Sequence, residues 1–187
     1  YVPGASNPGT MREEVGGGAF NALRNAVRHG VAASMMSLRG GDLAGEAVAR
    51  AIAEAGIADC SAVFLDRTTP SYTALLDEHG ELIAGFADMD LYEAGFARQM
   101  RRRAIRERVV QADAILCDAN MPADAIALLA GLAGGRPVHA IAISPAKAPR
   151  LRPSLGRITC LFMNLREARV LAGDGASLTA AEAAAAL

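Results

Sequence analysis

Side chains able to do chemistry gather in a few short segments of this sequence, most of them beside glycines. In Val15-Gly16-Gly17-Gly18-Ala19-Phe20-Asn21, backbone free of side chains leads into a helical pattern, where amide hydrogens can face a ligand oxygen. The run lacks the third glycine of a dinucleotide fingerprint, Asn21 standing in its place, and lacks the Gly-Lys-Ser/Thr of a Walker loop. A tight turn alone explains the glycines about as well. Asn21 and Asn25 favour a site, because two amides four residues apart on one helix face are poor core residues and good hydroxyl binders. Gly40-Gly41-Asp42-Leu43-Ala44-Gly45 reads first as a turn with a helix cap.

Three further segments follow predicted strands. Asp118-Ala119-Asn120-Met121-Pro122 stands at the C-terminal end of one, the edge where open α/β sheets bind ligands; Asp118 or Asn120 could equally cap the next helix. Asn164-Leu165-Arg166-Glu167 reads as an N-cap with its capping-box partner, or as a carboxylate able to hold a hydrated Mg²⁺. Lys147 lies just past a strand end and is either an anion contact or a surface lysine. The arginines at 98, 101, 102, 103, 106 and 108 are interrupted by Glu107 and have no interleaved aromatic for base stacking. A solvated helix face is the better reading, and RNA contact the weaker one. No Ser-His-Asp or Cys-His constellation can be assembled.

The elements that must position these residues follow from composition and punctuation. Of 187 residues, 52% are apolar and 21% charged, which excludes intrinsic disorder and predicts a real core. Twenty acidic residues nearly cancel 19 basic ones, so no global charge drives the chain onto nucleic acid or anionic lipid. Aromatics are 4% and Trp is absent, leaving a core of Ala, Leu, Ile, Val and Met that suits helices on a parallel sheet. Cys60, Cys117 and Cys160 are scattered, as are His29, His79 and His139, which argues for reduced thiols in a cytoplasmic protein and against structural zinc. No apolar run reaches the roughly 18 residues that span a bilayer.

Helices are expected over 19–29, 42–55, 91–108, 122–133 and 164–172, and strands over 31–37, 113–117, 138–144 and 158–162. Residues 38–41 should turn the chain. This alternation implies right-handed βαβ units and a mostly parallel sheet. Segments 71–77 and 81–87 flank Glu78-His79-Gly80 as a hairpin outside that pattern. Tyr1-Val-Pro-Gly at one end reads as an interior loop. At the other, Thr179 and Glu182 open a capped helix in which the chain stops, so the sequence is expected to be a fragment.

The order of the pieces is more specific than any one of them. Gly16, Gly17 and Asn21 resemble the first signature of the PfkB (ribokinase-like) carbohydrate and nucleoside kinases. Gly40-Gly41-Asp42 with Gly45 resembles that family's Val-Gly-x-Asp-x-x-Gly segment, and Asn164-x-x-Glu167 its Asn-x-x-Glu motif. Within the family the likeness is strongest to pseudouridine kinases, through Asn21-x-x-x-Asn25, the hairpin, Ala87-Asp88-Met89, Asp118-Ala119-Asn120 and Ser144-Pro145-Ala146-Lys147-Ala148. The resemblance implies a ribokinase-like three-layer α/β sandwich over 1–187, with a mostly parallel central sheet and a small β lid around 71–87. It implies ATP and Mg²⁺ as cofactors and a sugar or nucleoside, pseudouridine above all, as phosphate acceptor. Gly16, Gly17, Asn21 and Asn120 would hold the substrate, Asn164 and Lys147 the nucleotide, and Glu167 the water shell of Mg²⁺. The lid would form a homodimer. The family's first strand, with its sugar-binding Asp, is expected before Tyr1. Its Gly-Ala-Gly-Asp motif with the catalytic base is expected after Leu187, and Ala172-Gly173-Asp174-Gly175 is a helix-end turn that only imitates it. Leu23 stands where the signature usually has a small residue. The alternative is a catalytically inactive sugar- or nucleoside-binding protein of the same fold.

Overall fold

A computed structural model describes residue 2, residues 4–173 and residues 177–187. Tyr1 and Pro3 of the opening segment, and Asp174 and Gly175 of the imitation motif, lie outside the described residues. Helix α1 (Gly18–Arg28) ends as the sequence implies, at Gly30 in the left-handed region (φ +85°). Strands β1 (Ser34–Met35) and β2 (Leu38–Gly40) flank a two-residue irregularity. Helix α2 (Leu43–Glu54) is capped by Asp42, whose carboxylate accepts the Gly45 N–H at 2.8 Å. Strands β3 (Ala58–Asp59) and β4 (Ala62–Phe64) then pair in parallel with β1 and β2 in one register, Ser34 against Ala58 and Leu38 against Ala62. The Cys60 N–H donates to the Met35 carbonyl and the Ala62 N–H to that of Ser37, so the two short pairings are one interrupted ladder.

Two expectations are corrected here. Residues 38–41 do not simply turn: Leu38 is 1% exposed and Leu38–Gly40 is strand, leaving Gly41 to make the bend. The expected strand over 31–37 is correspondingly shorter, and Val31 is exposed. The stretch after Gly56 forms strands that its mixed composition did not mark.

The hairpin is as expected: β5 (Ser71–Leu76) and β6 (Leu82–Asp88) pair antiparallel, with a bulge after Leu75. Its turn is closed by Asp77, which accepts the N–H groups of His79 and Glu81. Most of its side chains face solvent, including Tyr72, Leu76, Leu82 and Phe86. The expected single helix over 91–108 is two, α3 (Asp90–Met100) and α4 (Arg103–Gln111). Phe96 and Ile105 are both buried, yet on one unbroken helix they would point about 180° apart. The extended Arg102 (ψ 136°) resets the phase, turning Ile105 and Val109 inward in place of arginines.

The main core lies under a second sheet. Strands β7 (Ile115–Asp118), β8 (Val138–Ile141) and β9 (Cys160–Phe162) run parallel in that order. Between them come α5 (Ala123–Leu132) and a 3₁₀ helix, Ala148–Arg157. Cys117 and Ala140 of the sheet, Ile126 and Leu129 of α5, and Leu151 of the 3₁₀ helix belong to one buried cluster with Phe96 and Leu38. A smaller cluster centred on Phe20, Ile52 and Ile57 joins α1 to α2; Leu23 packs there, so this position fills a seam. Helices α6 (Leu165–Ala172) and α7 (Ala180–Ala185) follow, both with complete capping boxes. Among the described residues no helix is long and apolar enough to cross a membrane.

Candidate functional site

The end of β7 carries a carboxylate that organises its surroundings. Asp118, 9% exposed, accepts the Ala19 N–H through Oδ2 (3.2 Å) and the Asn120 N–H through Oδ1 (3.0 Å). Ala19 lies in the first turn of α1, where free amides and the helix dipole favour a negative group. One side chain thus ties the glycine segment to Asn120. Helix α5 begins at Pro122 with no side-chain cap, so neither Asp118 nor Asn120 serves as its cap.

The glycine segment is seated by close contact. A Cβ at Gly18 would lie 2.6 Å from Ile143 Cδ1, so α1 packs closely against the residues after β8 and a side chain here would have to displace that methyl. Gly17 adopts φ +113°, a region side chains rarely enter. Ile143 has φ +69°, unusual for a β-branched residue. With the Ser144 N–H donating to the Ala142 carbonyl (2.8 Å), it turns β8 toward Lys147. Gly16, Gly17 and Asn21 are exposed. The Asn21 Oδ1 accepts from Arg24 Nη2 (3.2 Å), and its carbonyl accepts from Asn25 Nδ2 (3.1 Å). Asn25 therefore bonds back onto the helix, and Arg24 is steadied 5.5 Å over the Phe20 ring.

Asn120 is held from three sides. Lys147 Nζ donates to its Oδ1 at 2.6 Å. Arg150 Nη1 donates to its carbonyl at 3.2 Å, while Nη2 pairs with Glu93 at 2.6 Å. Residues three apart eclipse in a 3₁₀ helix, which sends Lys147 and Arg150 toward the same strand end. Glu93 stands in the first turn of α3, directly after the hairpin, so the ion pair links the hairpin's root to Asn120. Burial and the Arg150 charge push the Lys147 ammonium below the ordinary lysine range, against the opposing pull of Asp118 and Glu93.

The other segments have plainer surroundings. Asp42 receives the Thr69 N–H (2.8 Å) and the Thr69 hydroxyl as well as the Gly45 N–H; these bonds hold its carboxyl below the usual range. Gly40-Gly41-Asp42 is a cap and latch. Asn164 and Glu167 form a capping box: Glu167 N–H to Asn164 Oδ1 (3.0 Å), Asn164 N–H to Glu167 Oε2 (2.8 Å), and Asn164 Nδ2 to Oε1 (3.0 Å). Glu167 is 6% exposed. Gly173 closes α6 at φ +80°. Among the described residues no three His, Cys, Asp or Glu side chains converge to hold a metal ion.

The structure thus brings Asn120, Lys147 and the α1 N-terminus together around Asp118, and leaves Asn164 and Glu167 bonded to each other. Sequence reasoning missed Arg150, Glu93 and Thr69. Arg150 had a readable signal, its spacing of three from Lys147 in a segment flanked by Pro149 and Pro153; Glu93 and Thr69 had none, being fixed by partners far along the chain.

Comparison with known proteins bears on the family and the fold. The model of the pfkB family of carbohydrate kinases matches residues 2–187. The pseudouridine kinase of Escherichia coli K12 is 29% identical over 169 residues, covering 90% of this chain and 53% of the relative. A solved carbohydrate kinase from Agrobacterium tumefaciens is 50% identical with a TM-score of 0.84, over 92% of this chain and 57% of that one. Ribokinase from Giardia lamblia, 16% identical, superposes with a TM-score of 0.78 over 99% of this chain and 57% of its own, which is a likeness of fold. The chain spans about half the length of the curated relatives it matches.

Proposed function

Because the chain belongs to the pfkB family of carbohydrate kinases and has a ribokinase-like α/β fold, we propose that the protein transfers the γ-phosphoryl group of ATP to a primary hydroxyl of a sugar or nucleoside. Pseudouridine is the favoured acceptor, giving pseudouridine 5′-phosphate. The observation that carries this reading is the Asp118 clamp, which fixes the α1 N-terminus and Asn120 side by side at the C-terminal edge of a parallel sheet. Gly16, Gly17, Asn21 and Asn120 would contact the acceptor. Asn164 and Lys147 would meet the nucleotide, Lys147 with two ammonium hydrogens beyond the one on Asn120. Catalysis of this class rests on positioning and charge stabilisation. A coupled ATP-consumption assay on the natural full-length protein should respond to pseudouridine; silence with pseudouridine, ribose and other nucleosides would sink the proposal. The free Cys60, Cys117 and Cys160 support a reducing, cytoplasmic setting.

Mg²⁺, when bound with the nucleotide, would neutralise phosphate charge. Glu167 fits such an ion through water, since two of its lone-pair directions hold the Asn164 cap and, among the described residues, no cluster of three possible metal ligands forms. Glu167→Gln keeps most of the capping box but removes the charge. We expect it to raise the Mg²⁺ concentration for half-maximal activity severalfold at a stability cost of about 1 kcal/mol, because its Nε2 faces one of the two Asn164 donors. Glu167→Ala should additionally lose about 1 kcal/mol. Unchanged Mg²⁺ dependence in the Gln variant would return Glu167 to capping alone.

The hairpin is proposed as a lid that also joins two copies of the chain. Leu76 and Leu82 are more than half exposed and Phe86 is 69% exposed, an apolar surface that pairing would cover. Phe86→Asp should convert a dimer to monomer in sedimentation analysis. A wild-type monomer at tens of micromolar would remove this part of the proposal.

A further inference from the structure

We infer that Lys147 is a positioning residue that fixes the Asn120 amide as a donor, so that the site selects a ligand oxygen able to accept. This rests on the reading of the β7 edge as the acceptor-binding site. A lysine ammonium can only donate, and its 2.6 Å bond to Asn120 Oδ1 forces the amide oxygen toward it. The Nδ2 group is then the open face. Arg150 on the backbone carbonyl of the same residue, itself braced by Glu93, holds the main chain from which that amide extends.

The second candidate amide is set the same way. Asn21 gives its Oδ1 to Arg24, another group that only donates. Asp118, the acceptor between them, already receives the Ala19 and Asn120 N–H groups. With each amide oxygen turned to a cation, the group each amide turns away from it, toward a ligand, is the Nδ2 donor. A hydroxyl can satisfy it with a lone pair, and so can a carbonyl oxygen of a nucleobase; an ammonium cannot, and would also meet the Lys147 and Arg150 charges.

The test is a ratio of affinities, which a merely structural contact would not move. Calorimetry on the full-length protein compares ribose with its fluoro-deoxy analogues (acceptor only) and its amino-deoxy analogues (protonated, donor only) at positions 2 and 3. At the position facing Asn120, wild type should prefer fluorine to ammonium at least tenfold. Asn120→Asp keeps the partner of Lys147 but presents an acceptor, and should reverse that order. Lys147→Met frees the amide to rotate and should collapse the preference to within about threefold, while Lys147→Arg should restore it. An unchanged ratio in Asn120→Asp overturns the donor assignment alone. A wild-type protein that binds neither ribose nor pseudouridine overturns the acceptor-site reading, and this inference with it.

Discussion

Asp118→Ala is expected to lower stability by about 2–3 kcal/mol and to weaken acceptor binding at least about 100-fold, the largest functional effect of any single substitution here. The carboxylate is buried and accepts two backbone N–H groups from the half-buried Ala19 and Asn120. Removing it takes the protein acceptor from both donors and opens a cavity at a buried strand end, each at a cost of about 1 kcal/mol or more. It also unties the α1 N-terminus from the Asn120 backbone, so substrate contacts on the two elements lose their fixed spacing, and misplacement by about 1 Å is enough to cost 100-fold. Asp118→Asn is nearly as damaging, because its Nδ2 must face one of the two N–H donors. Urea unfolding and calorimetric binding measure the two effects separately. Unchanged binding in the alanine variant would reduce Asp118 to a packing residue.

Gly40→Ala should be the most destabilising change outside the site, at about 3 kcal/mol or more. A Cβ on Gly40 would drive into the Arg67 carbonyl oxygen and the Thr69 nitrogen, and one on Gly45 into the Gly40 carbonyl oxygen. These obstacles are backbone, which cannot swing aside as a side chain can. They stand so close because Asp42 binds Thr69 through both its N–H and its hydroxyl, while Thr69 Oγ1 accepts the Gly40 N–H at 2.9 Å. Gly9→Ala is the control: nothing lies within 4 Å of its Cβ position, and its effect should stay within about 0.5 kcal/mol. Equal melting temperatures for the two variants would mean that the 67–69 loop yields, and that the latch is weaker than its hydrogen bonds imply.

Much of the fold was legible because its signals are local. Gly30 and Gly56 end helices in the left-handed region, and Asp42, Asn164 and Thr179 cap the next ones through their own side chains. The hairpin over 71–88 announces itself by Asp77 and Gly80. A cap or a turn depends on residues three or four positions away, so spacing alone can reveal it. The break between α3 and α4 lay at the limit of this logic: the phase conflict between Phe96 and Ile105 was present in the sequence, but a long charged run masked it.

The site was legible in its parts and not in its assembly. Types and order alone marked Gly16, Gly17, Asn21, Asn120, Lys147, Asn164 and Glu167 as candidates. They did not distinguish a cap from a clamp at Asp118, since both use a carboxylate just after a strand. Only the tertiary structure decided that its partner is Ala19, 99 residues earlier, that Lys147 turns toward Asn120 across 27, and that Glu93 meets Arg150. The physical reason is that a hydrogen bond is specified by position and direction within a few tenths of an ångström. Local pattern sets which element forms, but parallel strands joined through long crossovers set which ends meet. Composition, element order and candidate chemistry were therefore properties of the sequence; which oxygen faces which donor was a property of the fold.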